Sequence, residues 1–164
     1  MDRKATRQRL YASMLALGAC ILLYLTTTMI CQGSLNILAL WVSIMLIMEM
    51  VIDLSCLLTT IPWWVSQDRA KAKIPLRLGA AAAIFHALRV LVFVIGRVGP
   101  WINFDVRPEH VASHGETWTW AGVWFAAIMA VLGITGVIII WMLIRRANKS
   151  FSRKTFFCPQ AIIS

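Results

Sequence analysis

Four ionisable residues interrupt two otherwise apolar stretches of this 164-residue chain: Glu49 and Asp53 in one, His86 and Arg89 in the next. Two carboxyls, an imidazole and a guanidinium are the groups of ion pairing and proton transfer. Glu49 and Asp53 stand four apart and His86 and Arg89 three apart, so on helices each pair shares a face. In hydrocarbon a charged side chain costs on the order of 2.5–3.5 kcal/mol on insertion scales, so such residues turn inward, find partners and mark functional sites. An arginine fork gives a carboxylate two parallel hydrogen bonds. The expected arrangement is therefore Glu49 paired with Arg89 and flanked by His86. Asp53 is then the unmatched acid: neutral, hydrated, or partly paired through His86. A fully paired set acts as a structural clamp, whereas a spare acid suits a proton relay.

The elements that must position these groups follow from composition and length. Sixty per cent of the residues are hydrophobic and 14% are charged, with a mean hydropathy of +0.76. A soluble domain is nearer 45–50% apolar and 25% charged. Four apolar runs are visible, at about Leu10–Ile30, Leu35–Thr60, Leu76–Val98 and Trp120–Ile144. Each is as long as the roughly 20 residues an α-helix needs to cross the bilayer core. Barrel strands would be shorter and would alternate. Cys31-Gln32-Gly33-Ser34 reads as a tight turn, Pro62 as the end of the second helix, Pro75 as the first turn of the third, and Gly99-Pro100 as its close. The fold class is all-α: a four-helix transmembrane bundle formed by a single membrane domain over 1–164, with a basic tail at 145–164. At 1.5 Å per residue from the loop joining helices two and three, Glu49 lies roughly 16 Å deep, Asp53 roughly 10 Å, His86 roughly 15 Å and Arg89 roughly 20 Å. Glu49 then falls between His86 and Arg89.

Charge orients the bundle. Arg3, Lys4, Arg7 and Arg9 precede helix one; Arg69, Lys71, Lys73 and Arg77 link helices two and three; Arg145, Arg146, Lys149, Arg153 and Lys154 follow helix four. All fall on one side, which the positive-inside rule makes cytoplasmic, so both termini are expected there. The net charge of +9 is confined to these clusters. That favours attraction to anionic lipid at the cytoplasmic face and argues against nucleic acid. Trp63, Trp64 and Trp141 on one side, and Trp101, Trp118 and Trp120 on the other, read as interfacial belts. The expected location is the bacterial cytoplasmic membrane. The basic N-terminus precedes an apolar run too long for a signal peptide, which predicts an uncleaved first helix.

Other chemistry is sparse. Cys20, Cys31, Cys56 and Cys158 form no disulfide framework and no C-x-x-C. No cofactor is expected. A haem through His86 is a minor alternative that needs a second ligand from elsewhere, since no other histidine lies in an apolar run. In the outer loop Glu109, His110, His114 and Glu116 have spacing that would suit a metal only on a helix, and Pro108 and Gly115 imply a loop. Nucleophile elbows, glycine-rich phosphate loops and H-E-x-x-H are missing. Small residues at four-residue spacing, Gly79, Ala83 and Ala87 on helix three and Gly122, Ala126 and Ala130 on helix four, let helices approach closely in lipid or build a homo- or hetero-oligomer. The four-span layout is similar to that of claudin-like proteins, but the first outer loop here is only Cys31–Ser34 and lacks their Trp and Cys pattern. Layout alone carries no function. The first functional expectation is a non-catalytic structural or accessory subunit of a membrane assembly. The alternatives are a small proton-coupled transporter using Glu49, Asp53, His86 and Arg89, and a haem- or quinone-binding anchor.

Overall fold

The computed structural model describes residues 3–96, 101, 103–112 and 120–155; within these, the side chains of 3, 34, 120–123, 125, 126 and 148–155 lie outside the description. Four long helices carry the fold: α1 (Arg3–Cys31), α2 (Leu40–Ser66), α3 (Lys73–Ile95) and α4 (Trp120–Thr155). All four contain stretches long and apolar enough to cross a membrane. Among the described residues there is no strand, only an isolated bridge between Leu38 and Val106.

The ends of three of these helices differ from the sequence expectation. The second apolar run does not start as one helix. Ser34–Ile37 forms a single turn, and the backbone then straightens, because the outer loop takes its hydrogen bonds. Ala39 N donates to Asp105 O at 2.8 Å, and Arg107 N donates to Ile37 O at 2.9 Å. Arg107 adds side-chain bonds from Nε to Leu38 O (3.0 Å) and from Nη2 to Leu35 O (3.1 Å). Pro62 does not end α2 either. Its exposed ring sits inside the helix, which stops at Ser66, where Gln67 adopts a left-handed φ of 57°. Proline at this site removes one backbone donor but leaves the lipid side free for its ring. α3 begins earlier, at Lys73 with Pro75 in its first turn, and ends at Ile95 rather than Val98. α4 continues past Ile144 to Thr155, so more than half of the basic tail is helical.

The bundle is built on one repeat. The inward positions of α2 include Val42, Leu46, Glu49, Asp53, Cys56, Thr60 and Trp63. Those of α3 include Pro75, Gly79, Ala82, His86 and Arg89. On α1 they include Gln8, Ala12, Leu15, Ala19, Leu22 and Thr26, and on α4 Gly133, Gly136, Ile140, Leu143 and Ala147. Each series steps by alternating threes and fours. That mean of 3.5 residues keeps one seam facing its neighbours when helices cross at about 20°.

Small residues set the helix spacing. A Cβ added at Gly18 would lie 2.7 Å from Ile140 Cγ1, and one added at Gly79 would lie 2.7 Å from Leu15 Cδ1. Leu17, Ile44, Leu58, Ile84, Leu91 and Ile138 point outward and are exposed, as lipid-facing positions must be. Trp63 departs from the belt reading. It is fully buried, and its Nε1 donates to Gln8 Oε1 at 3.1 Å. Trp64, Trp101 and Trp141 are exposed; Trp118 lies outside the described residues.

Candidate functional site

The seams of α2 and α3 run antiparallel in a fixed register. Glu49 meets His86, and seven residues further along α2 Cys56 meets Gly79, seven residues back along α3. This register brings three of the four ionisable residues together. Arg89 Nε donates to Glu49 Oε2 at 2.6 Å, and Arg89 Nη2 reaches Glu49 Oε1 at 3.3 Å. Glu49 Oε1 also lies 2.9 Å from His86 Nδ1. Glu49 is fully buried, His86 is 3% exposed and Arg89 8%. The carboxylate is thus held from two directions across the α2–α3 interface.

The imidazole is over-subscribed on one side and unserved on the other. Its Nδ1 lies 2.7 Å from Arg89 Nη2 as well as 2.9 Å from Glu49. One ring nitrogen either donates or accepts, so it satisfies only one of these neighbours at a time. Its Nε2 is buried and has no hydrogen-bond partner among the described residues. Gly133 of α4 lies against that nitrogen, where an added Cβ would collide with it. Glycine at 133 is therefore what lets α4 pack over the imidazole.

Asp53 does not join the other three. Its side chain is fully buried and neither oxygen has a hydrogen-bond partner among the described residues. The register gives the reason: one turn along from Glu49, α3 presents the buried Ala82 and Ala83, which offer no side-chain polar atom.

Sequence reasoning missed two contributors from other helices. Met29 of α1 accepts from Arg89 Nη1, with Sδ at 2.8 Å, and Gly133 of α4 faces His86. Neither residue type announces such a role. Only Gly133, standing next to the small-residue stripe, carried a hint. Met29 also borders a cavity of about 350 Å³ between α1, α3 and α4, whose walls include Leu25, His86, Arg89, Phe93 and Met129.

The remaining candidates are dispersed. Gly79 and Ala83 face the core, whereas Ala87 and Ala130 are exposed. Gly122 lies in α4; the side chain of Ala126 is outside the described residues, as is the segment with His114 and Glu116. Glu109 and His110 sit in a short 3-10 turn, Pro108–His110, with Glu109 exposed. Among the described residues no group of three or more His, Cys, Asp or Glu could hold a metal ion.

No family model, curated protein or solved structure matches this chain.

Proposed function

We propose that this chain is a non-catalytic structural or accessory subunit of a membrane assembly, with both termini on the cytoplasmic side of a bacterial cytoplasmic membrane. One observation carries the reading. Glu49, at zero exposure, takes both the Arg89 fork and His86 across the α2–α3 interface. Breaking a buried pair of this kind by removing one partner costs about 3–5 kcal/mol, so its geometry suits a fixed clamp better than a mobile carrier site. The three basic juxtamembrane clusters support the orientation. They also support contact with anionic lipid. Ala87, small and exposed, is a place where a partner helix would approach closely.

Native-gel migration of gently solubilised host membranes tests the reading. The chain is expected in a band far heavier than its own 18.4 kDa plus detergent. Migration at monomer size alone would overturn it.

The second reading, proton-coupled transport, is favoured by one specific feature: both oxygens of Asp53 are buried without a partner among the described residues. A site that takes up and releases a proton needs such a spare acid. Proton-driven flux into liposomes that disappears in Asp53→Asn would establish this reading in place of the first. A haem on His86 would have to reach Nε2 past Gly133 of α4. A Soret band in the purified protein is its direct test.

A further inference from the structure

Among the described side chains of α4, buried seam positions begin at Gly133. Of the described side chains from 124 to 132, Trp124, Ala127, Ile128, Ala130 and Val131 are exposed and Met129 and Leu132 are half-buried. Beside this stretch lies the cavity of about 350 Å³, lined mostly by apolar side chains of α1, α3 and α4. Its volume lies within the roughly 300–1,000 Å³ of small-molecule clefts, which combine apolar walls with a few placed polar groups.

Three polar residues line it: Gln32, just past α1, and His86 and Arg89 of α3. The guanidinium is incompletely served there. Nε and Nη2 engage Glu49, but Nη1 has Met29 Sδ as its acceptor. A thioether is a weak acceptor for a charged donor, and methionine moves aside at little cost because its chain is unbranched and flexible. An oxygen atom entering the cavity would be the better partner. The local charge decides what kind of oxygen. Glu49 already balances Arg89, so a carboxylate or phosphate head would bring an uncompensated charge into an apolar cleft, which is strongly unfavourable. A neutral carbonyl brings the acceptor without the charge.

We infer that the cleft between α1, α3 and α4 is a binding site for a neutral, membrane-soluble molecule with a carbonyl head on an apolar body, the carbonyl accepting a hydrogen bond from Arg89 in place of Met29. Ketone- and quinone-headed amphiphiles are the chemical class. The inference does not depend on the accessory or transport reading above.

Photo-crosslinking of the full-length protein in neutral-lipid nanodiscs tests it, with 4-decylbenzophenone as the probe. Its ketone is both the head the site would take and the reactive group. Crosslinking is expected to saturate, to map to Met29, Leu25 and Met129, and to fall at least fivefold with excess decylubiquinone but not with excess dodecanoate. Ala130→Phe, at an exposed position on the cleft wall, is expected to lower site labelling at least fivefold with unchanged helicity and melting temperature. Met29→Leu, which removes the competing sulfur, is expected to keep or raise labelling at Leu25 and Met129. Labelling spread over outward residues such as Ile84 and Leu91, unsaturable and indifferent to Ala130→Phe, would mean simple partition into lipid and would overturn the inference. Stronger competition by dodecanoate than by decylubiquinone would equally overturn the neutral-carbonyl assignment.

Discussion

Glu49 and Asp53 are one helical turn apart on the same seam, yet their surroundings are opposite. Glu49 is bonded by Arg89 and His86, while Asp53 has no partner among the described residues. Truncating one member of a buried pair leaves the other charge unpaired, whereas replacing an unpartnered polar group loses no bond. Glu49→Leu is therefore expected to destabilise the bundle by about 3–5 kcal/mol, and Asp53→Leu to be neutral or mildly stabilising. Thermal unfolding of both variants in the same detergent checks the contrast. Equal losses would show that Asp53 has a bonding role the register does not provide. Outside the bundle core, Arg107 ties the outer loop to the carbonyls of Leu35 and Leu38. At about 1.5–3 kcal/mol for a hydrogen bond to a charged group, Arg107→Ala is expected to cost about 2 kcal/mol and to raise hydrogen exchange at Ala39, read by mass spectrometry.

At the scale of the helix, glycine positions on α4 set how closely it lies on its neighbours. A Cβ at Gly133 runs into the His86 ring, which Glu49 and Arg89 hold in place. At Gly136 the nearest side-chain atoms would be Leu22 Cδ2 at 3.1 Å and Ile21 Cγ2 at 3.3 Å, both free to shift by a few tenths of an ångström. Gly133→Ala is accordingly expected to lower the melting temperature clearly more than Gly136→Ala. It should also raise the reactivity of His86 toward diethyl pyrocarbonate as α4 is displaced. A larger loss from Gly136→Ala would place the tight contact in the wrong turn of α4.

The element scale also explains why the seams were hard to read beforehand. In a soluble helix an apolar stripe identifies the buried face. Here Ile44, Leu58 and Ile84 face outward and are as apolar as Leu15, Leu22 and Leu46, which face inward. The 3.5-residue repeat is carried by the polar and small residues instead: Gln8, Thr26, Glu49, Asp53, Thr60, His86, Arg89, Gly133 and Gly136.

For the molecule as a whole, the charge clusters make a statement about orientation that the native cysteines can check. Cys31 is exposed at the end of α1 opposite the basic N-terminus, and Cys158 follows the basic stretch that ends α4. A membrane-impermeant maleimide is expected to label Cys31 in intact cells and Cys158 only after permeabilisation. The reverse pattern would invert the topology.

Composition and run length by themselves determined the helical class and four helices long and apolar enough to cross a membrane, because hydrocarbon demands about 20 apolar residues per crossing. They also singled out Glu49, Asp53, His86 and Arg89, since charge in an apolar run stands out at once. Which acid is bonded and which has no partner among the described residues depended on the register of α2 against α3, with Ala82 and Ala83, one turn before His86, standing where Asp53 would need a donor. The contribution of Met29, the contact of Gly133 with His86 and the cleft beside them depended on α1 and α4. Tertiary structure alone decided these, because lipid-facing and core-facing residues have the same apolar chemistry and differ only in what lies opposite them.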